Sequence, residues 1–112
     1  MDTIKLARYN NAFMEQLNII LGENAKNPIL KKVIVTAVKI SRDLSIAKVY
    51  YTCFDEDKKL VAKELSDSSG YIRGELSKKV DIRHTPELSF TYDESIEYAR
   101  RIENKIKEIN DI

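Results

Sequence analysis

Side chains able to do covalent chemistry are few in this chain, and most of its reactive character is cationic. Cys53 is the only cysteine and His84 the only histidine among 112 residues. A thiol nucleophile needs a base beside it to become a thiolate, and His84, the single candidate, is distant in sequence and follows Arg83. A zinc site built from histidine and cysteine would have one ligand of each. No CxxC, HExxH or spaced carboxylate set supplies the rest. The glycines of "GYIRG" stand four apart, which fits neither GxGxxG nor the P-loop. Catalysis and a bound cofactor are therefore not expected. Cys53 reads as a small hydrophobe on a strand, and His84 as a polar residue at the surface.

Charge distribution says more than its total. Formal net charge is +1, yet residues 26–48 carry six bases (Lys26, Lys31, Lys32, Lys39, Arg42 and Lys48) against the single acid Asp43. Residues 71–84 add Arg73, Lys78, Lys79 and Arg83 against Glu75 and Asp81, whereas residues 87–112 hold seven acids and four bases. Two basic blocks that converge on one face would meet phosphate. Solvated strand edges and helix faces are the alternative explanation of the same charges, and the binding one is favoured.

Ser68-Ser69-Gly70 stands just ahead of the second block and sharpens the expectation. Val61, Leu65, Ile72, Leu76 and Val80 keep one helical phase, and these three small residues interrupt it. A helix-interior glycine costs roughly 1 kcal/mol relative to alanine, and serine competes for backbone hydrogen bonds. A kink there removes side-chain bulk, so that another backbone can approach closely. A second helix beginning just beyond it would offer exposed N–H groups to phosphate, with Arg73, Lys78 and Lys79 following.

The elements that must position these residues follow from hydrophobic period. Leu6, Tyr9, Phe13, Leu17 and Ile20, flanked by Met14 and Leu21, predict a helix from about Thr3 to Leu21 with Thr3 as N-cap and Gly22 as a left-handed C-cap. Asn27-Pro28 marks a turn. "LKKVIVTAVKI" and "LSIAKVYYTCF" are rich in β-branched residues and predict two strands joined through Ser41, Arg42 and Asp43. Helical period then runs, with the interruption, to about Val80. "TPELSFTYD" alternates Leu88, Phe90 and Tyr92 with Ser89 and Thr91, a half-buried strand introduced by Pro86. It is expected to join the sheet parallel to one hairpin strand. Last comes a helix with Ile96, Ala99, Ile102, Ile106 and Ile109 facing inward. This order gives an α+β two-layer sandwich with a three-stranded sheet, a single domain over residues 1–112.

Bulk properties agree with a folded, soluble domain: 43% of residues are hydrophobic and 33% charged. No apolar run reaches the roughly 18 residues that span a bilayer, and the first residues lack the core of a signal peptide. One cysteine allows no internal disulfide, which fits a reducing, cytoplasmic compartment.

The stretch "SSGYIRGELSKKVDIRHTPELSFTYDES" resembles the bacterial ribosome-binding factor A family, and the element order agrees along nearly the whole chain. The family's pattern is a glycine, an aromatic and Ile-Arg, then Leu-Arg-x-x-Pro-x-Leu-x-Phe-x-x-Asp. Here Gly70, Tyr71, Ile72 and Arg73 match the first part, and Ile82, Arg83, Pro86, Leu88, Phe90 and Asp93 the second. The resemblance implies a type II KH-like fold (α-β-β-α(kinked)-β-α) in which an Ala-x-Gly kink replaces the GxxG loop. Ser68 stands in the alanine place, and the basic C-terminal tail of some members is not expected here.

It further implies a non-catalytic factor that binds 16S rRNA in free or immature 30S small subunits. Such a factor assists late maturation, including 5′-end processing of that RNA, supports growth in the cold and leaves when an assembly GTPase acts. The RNA-binding residues expected are Ser68, Ser69, Gly70, Arg73, Lys78, Lys79, Arg83, Lys31, Lys32, Lys39 and Arg42, in a monomer without a membrane partner. The competing expectations are a KH-like module for single-stranded RNA outside ribosome assembly, against which the glycine spacing counts, and a protein-interaction domain using an exposed apolar patch.

Overall fold

The computed structural model describes residues 2–55 and 57–110. Helix α1 (Thr3–Ile19) lays Phe13 and Leu17 into the core. Its N-cap is Asp2, whose carboxylate accepts from Ile4 N at 3.1 Å, one residue ahead of the expected Thr3. Gly22 is not a left-handed cap, since no glycine has positive φ. The helix instead widens into a π turn at Ile20–Asn24, closed by Ala25 N donating to Ile20 O at 2.8 Å. The wider turn brings Ile20 and Leu21 closer in angle, and both are fully buried. Asn27 then turns the chain, its side chain accepting from Ile29 N at 3.0 Å.

Strands β1 (Val33–Ile40) and β2 (Ile46–Cys53) form the expected antiparallel hairpin, and β3 (Glu87–Tyr92) pairs parallel to β2. The sheet order β1-β2-β3 leaves β1 and β3 as edges. A bulge between Val35 and Ala37 shifts the inward row of β1 from Val33 and Val35 to Val38 and Ile40. Helix α1 closes this edge with two asparagines. Asn18 both donates to Val35 O (3.1 Å) and accepts from Val35 N (2.8 Å), while Asn10 accepts from Ile40 N (2.9 Å). Backbone groups that the hairpin leaves unpaired are thereby satisfied.

Helices α2 (Lys58–Asp67) and α3 (Ser69–Lys79) complete the helical layer, with Val61, Leu65, Ile72 and Leu76 fully buried. This α+β two-layer arrangement, with the kinked helix pair between β2 and β3, is the expected KH-like one. Helix α4 (Ser95–Asn110) departs from expectation. Ile102 is 40% exposed, Ile106 53% and Ile109 70%, so its apolar face is not inward. The helical side of the sheet is already filled by α1, α2 and α3, and α4 projects instead. The radius of gyration is accordingly 16.2 Å, against about 13 Å for a compact chain of this length. Only the root of α4 is fastened: Glu97 accepts from Lys58 Nζ and from Tyr92 Oη, each at 2.8 Å.

The β1–β2 turn is built on Asp43, whose carboxylate accepts from the hydroxyls of Ser45 and Ser41 and from Ser45 N. It permits Leu44, a non-glycine at φ 62°, to place its side chain in the core. The Ser45 hydroxyl foremost, then Ser41, holds the Asp43 pKa down at about 2.

Two tests follow from these contacts. Asn18→Ala leaves both backbone groups of Val35 without their partner and should cost about 2 kcal/mol in urea unfolding, whereas Asn11→Ala on the exposed side should change stability by less than about 0.5 kcal/mol. Because the folded Asp43 pKa is depressed, its contribution is complete above the unfolded carboxylate pKa and fades as pH falls through about 2. The Tm gap between wild type and Asp43→Ala should therefore be widest near neutrality and close toward pH 2; a gap independent of pH would deny the turn's dependence on the charge.

Candidate nucleic-acid interface

The interruption in the helical stripe is a bend centred on Ser68. This residue has φ −95° and ψ 1°, and is at once the C-cap of α2 and the N-cap of α3. Its N–H donates to Glu64 O at 3.0 Å, and its carbonyl accepts from Ile72 N at 2.9 Å. Its hydroxyl makes no cap hydrogen bond, so the first turn of α3 starts without a side-chain acceptor.

Gly70 is exposed and lies inside α3 with ordinary helical backbone, so it is not the residue that makes the bend. A Cβ added there meets nothing within 4 Å. Packing within the protein therefore does not require a glycine at this position.

The bend faces the free edge of β3 across two adjoining clefts. One, of about 280 Å³, is lined by Ser66, Ser69, Leu88, Ser89 and Phe90 among others. The other, of about 220 Å³, lies between Ser69, Gly70 and Arg73 on one side and Glu87 and Leu88 on the other. On the far side of the bend, Lys26, Asn27, Ser68 and Tyr71 line a third, wider hollow. There Tyr71 Oη donates to Asn24 O at 3.4 Å, and Asn27 donates to Glu64 at 2.8 Å.

The cations do not gather as the two basic blocks suggested. Arg73 is engaged: its Nε and Nη2 donate to Thr85 O at 3.1 and 2.6 Å, tying α3 to the loop that leads into β3. Lys78 reaches Glu75 at 3.4 Å with its side chain 74% exposed. Lys79 and Arg83 are exposed and make no ion pair among the described residues. Arg42 is exposed in the β1–β2 turn, whose Ser45 carbonyl accepts from Glu87 N. Lys31 and Lys32 precede β1 at the opposite end of the sheet, about 26 Å away along an eight-residue strand. Lys32 is paired there with Asp55 at 3.2 Å. Lys39 points to the open face of the sheet, over Tyr50. Charge counted along a chain carries no information about which side of a sheet it reaches.

What sequence reasoning did not assign to the site is as informative. Lys26 and Tyr71 flank the bend, and the polar edge of β3 supplies Ser89. Tyr71 had a signal, the aromatic after the glycine; Ser89 had none beyond strand alternation. His84 is exposed in the α3–β3 loop. Cys53 is half-buried, with Sγ 3.5 Å from Asp55 O. No helix among the described residues is long and apolar enough to cross a membrane.

Fold and site together define a small KH-like α+β domain with an open, polar groove between a bent helix and an edge strand. The chain belongs to the ribosome-binding factor A family: the sequence model described as Ribosome-binding factor A matches residues 5–106. It is 41% identical over 105 residues to the ribosome-binding factor A of Vesicomyosocius okutanii, an alignment covering 94% of this chain and 92% of that one. The Legionella pneumophila (strain Lens) protein of the same description is 38% identical over 104 residues, covering 92% and 85%. The crystal structure of ribosome-binding factor A from Thermus thermophilus superposes with a TM-score of 0.63 at 26% identity, covering 82% of this chain and 97% of that one. A fold match at 22% identity, TM-score 0.66, is the solution structure of a Thermotoga maritima protein described as a putative ribosome binding factor A, covering 81% and 89%.

The geometry of Gly70 sets a stability test. Gly70→Ala and Gly74→Ala, both on open, ordinary helix, should each stabilise the protein by about 1 kcal/mol in urea unfolding. Destabilisation by Gly70→Ala would mean that its backbone is not free of strain.

Proposed function

We propose that this chain is a non-catalytic assembly factor that binds the immature small ribosomal subunit through 16S rRNA and assists its late maturation. The observation that carries the reading is the open space over Gly70 at a bend, in a chain of the ribosome-binding factor A family. A Thermus thermophilus ribosome binding factor A, a fold neighbour with a TM-score of 0.61, has been fitted into a cryo-EM map of a 30S complex. That complex supports the small subunit as the partner here.

In this reading an RNA backbone enters the groove between the bend and β3. The uncapped first turn of α3 meets phosphate, and Gly70 allows the close approach. Lys78, Lys79 and Arg83 extend the contact, Lys26 joins from the other side of the bend, and Arg73 acts as the strut that holds the groove's shape. Lys31, Lys32 and Arg42 belong to the proposed contact only where the RNA wraps beyond the groove. The factor acts as a monomer in the cytoplasm, 5′-end processing of 16S rRNA follows from the arrangement it holds, and an assembly GTPase releases it. Its effect requires tighter binding to the immature arrangement than to the mature one, since equal affinity shifts nothing.

A second reading, a protein-contact domain, is favoured by the exposed apolar face of α4. Ile106→Asp should leave folding intact because that residue is more than half exposed; loss of small-subunit retention by that variant would add a protein contact to the RNA one.

The direct test is retention on purified immature small subunits over a salt series. Wild type should show a log–log slope of several units, at roughly 0.7 to 0.9 per neutralised phosphate. Lys78→Glu with Lys79→Glu should weaken retention and flatten the slope by about two units, and Gly70→Leu should weaken it in a protein that melts no lower than wild type. Lys105→Glu with Lys107→Glu, on α4, is the control and should matter less. Equal losses at both lysine pairs, or full retention by Gly70→Leu, would remove the groove from the contact.

A further inference from the structure

The open face of the sheet carries a row of side chains that neither the core nor the groove uses. Ile46, Lys48, Tyr50 and Thr52 of β2 alternate with the buried Ala47, Val49 and Tyr51, and Phe54 continues the outward row just past the strand. Tyr50 stands on the central strand, opposite Ala37 on β1 and Thr91 on β3. Both partners are small and leave the half-buried ring partly open. Lys39 Nζ and Lys48 Nζ lie 5.9 and 5.6 Å from its centroid, and neither lysine forms an ion pair among the described residues. Phe54 is 78% exposed. With Ile34, Thr36, Thr52 and Arg100 it lines a cleft of about 350 Å³ at the root of α4. Of the acids nearby, Glu97 is held by Lys58 and Asp93 by the Thr36 hydroxyl, while Glu87 stands at the far end of β3.

Hydrophobic cover of a solvated sheet accounts for Ile34 and Ile46. It does not account for Phe54, which leaves most of its surface in water and so contributes little to folding. An exposed ring (Phe54) and a half-buried one (Tyr50), interleaved with unpaired cations, suit unpaired nucleotides, whose bases stack on the rings while their phosphates meet the cations. The spacing selects single strands. Four residues of extended strand separate Tyr50 from Phe54 by about 13 Å, far more than the ~3.4 Å rise between stacked bases of a duplex. Bases that reach both rings must be splayed apart. The lysine heads, on flexible stems, can leave the Tyr50 ring to an incoming base and turn to its phosphates.

The geometry points to a second RNA contact on the open sheet face, where Tyr50 and Phe54 stack the bases of a single strand and Lys39, Lys48 and Arg100 hold its backbone. This rests on the RNA-binding reading above but uses the opposite side of the sheet from the groove, so the two can be separated.

The experiment is fluorescence anisotropy of a labelled octauridine with the full chain at low salt, beside an abasic octamer of the same charge and a blunt duplex. Octauridine should bind at least about ten-fold more tightly than the abasic strand, and Tyr50→Leu and Phe54→Leu should each lose about ten-fold. Tyr50→Phe should bind like wild type, since the ring is what stacks. Lys78→Glu with Lys79→Glu should weaken small-subunit retention far more than it weakens octauridine binding. Thermal melts establish that each variant is folded. Equal affinity for base-bearing and abasic strands, or wild-type binding by the Tyr50→Leu/Phe54→Leu double variant, overturns the inference. So does a double variant that loses small-subunit retention but keeps octauridine affinity, which would make the face a protein contact. Octauridine binding that depends on Tyr50 in a protein not retained by small subunits would support this site and remove the small-subunit reading.

Discussion

Val61, Leu65, Ile72 and Leu76 press a single apolar stripe into the core from both sides of the bend at Ser68, and everything else in the structure is arranged around that contact. All four are fully buried. Because the stripe holds its phase through the bend, the two short helices behave as one element against the core, and the bend can face outward without disturbing it. Ten or eleven residues of isolated helix would be marginal in water. Packing therefore fixes the bend, and the bend fixes where the groove opens.

The edges of the sheet are treated unequally. At β1, Asn10 and Asn18 satisfy backbone groups from α1, so this edge offers little to a partner. At β3 no helix does the same; the edge borders the clefts below the bend. Arg73 sets the distance between the two walls through its paired bonds to Thr85 O. A guanidinium used this way keeps its charge near the groove while its geometry serves the fold.

Charge is spread over several sides of the molecule rather than focused on one. Lys78, Lys79 and Arg83 follow the bend along the chain, Lys39 and Lys48 flank Tyr50 on the open face, and Lys31 and Lys32 stand at the opposite end of the strands from the β1–β2 turn. On the RNA-binding function proposed above, a domain of this form would meet a large, folded polyanion on several sides rather than in one pocket. The projecting α4, with an apolar face that its own sheet leaves uncovered, adds to the same outward-facing character.

The sequence by itself determined the main helices and strands, their order, the inward residues of α1, β2 and α2–α3, and that the long helix is interrupted within Ser68-Ser69-Gly70. Each of these depends on local period or on the small residues Ser68-Ser69-Gly70. The motif from Gly70 to Asp93 also carried the family. Tertiary structure alone decided four things. It placed the bend at Ser68 rather than Gly70, because backbone angles follow from how both helices pack. It bound Arg73 to Thr85, an acceptor twelve residues away with no sequence signal. It separated Lys31, Lys32 and Lys39 from the groove, because strand direction and face determine where a charge arrives. And it left the apolar face of α4 in solvent: periodicity reports that a helix has such a face, while only the space already taken by α1, α2 and α3 decides whether anything is left for it to cover.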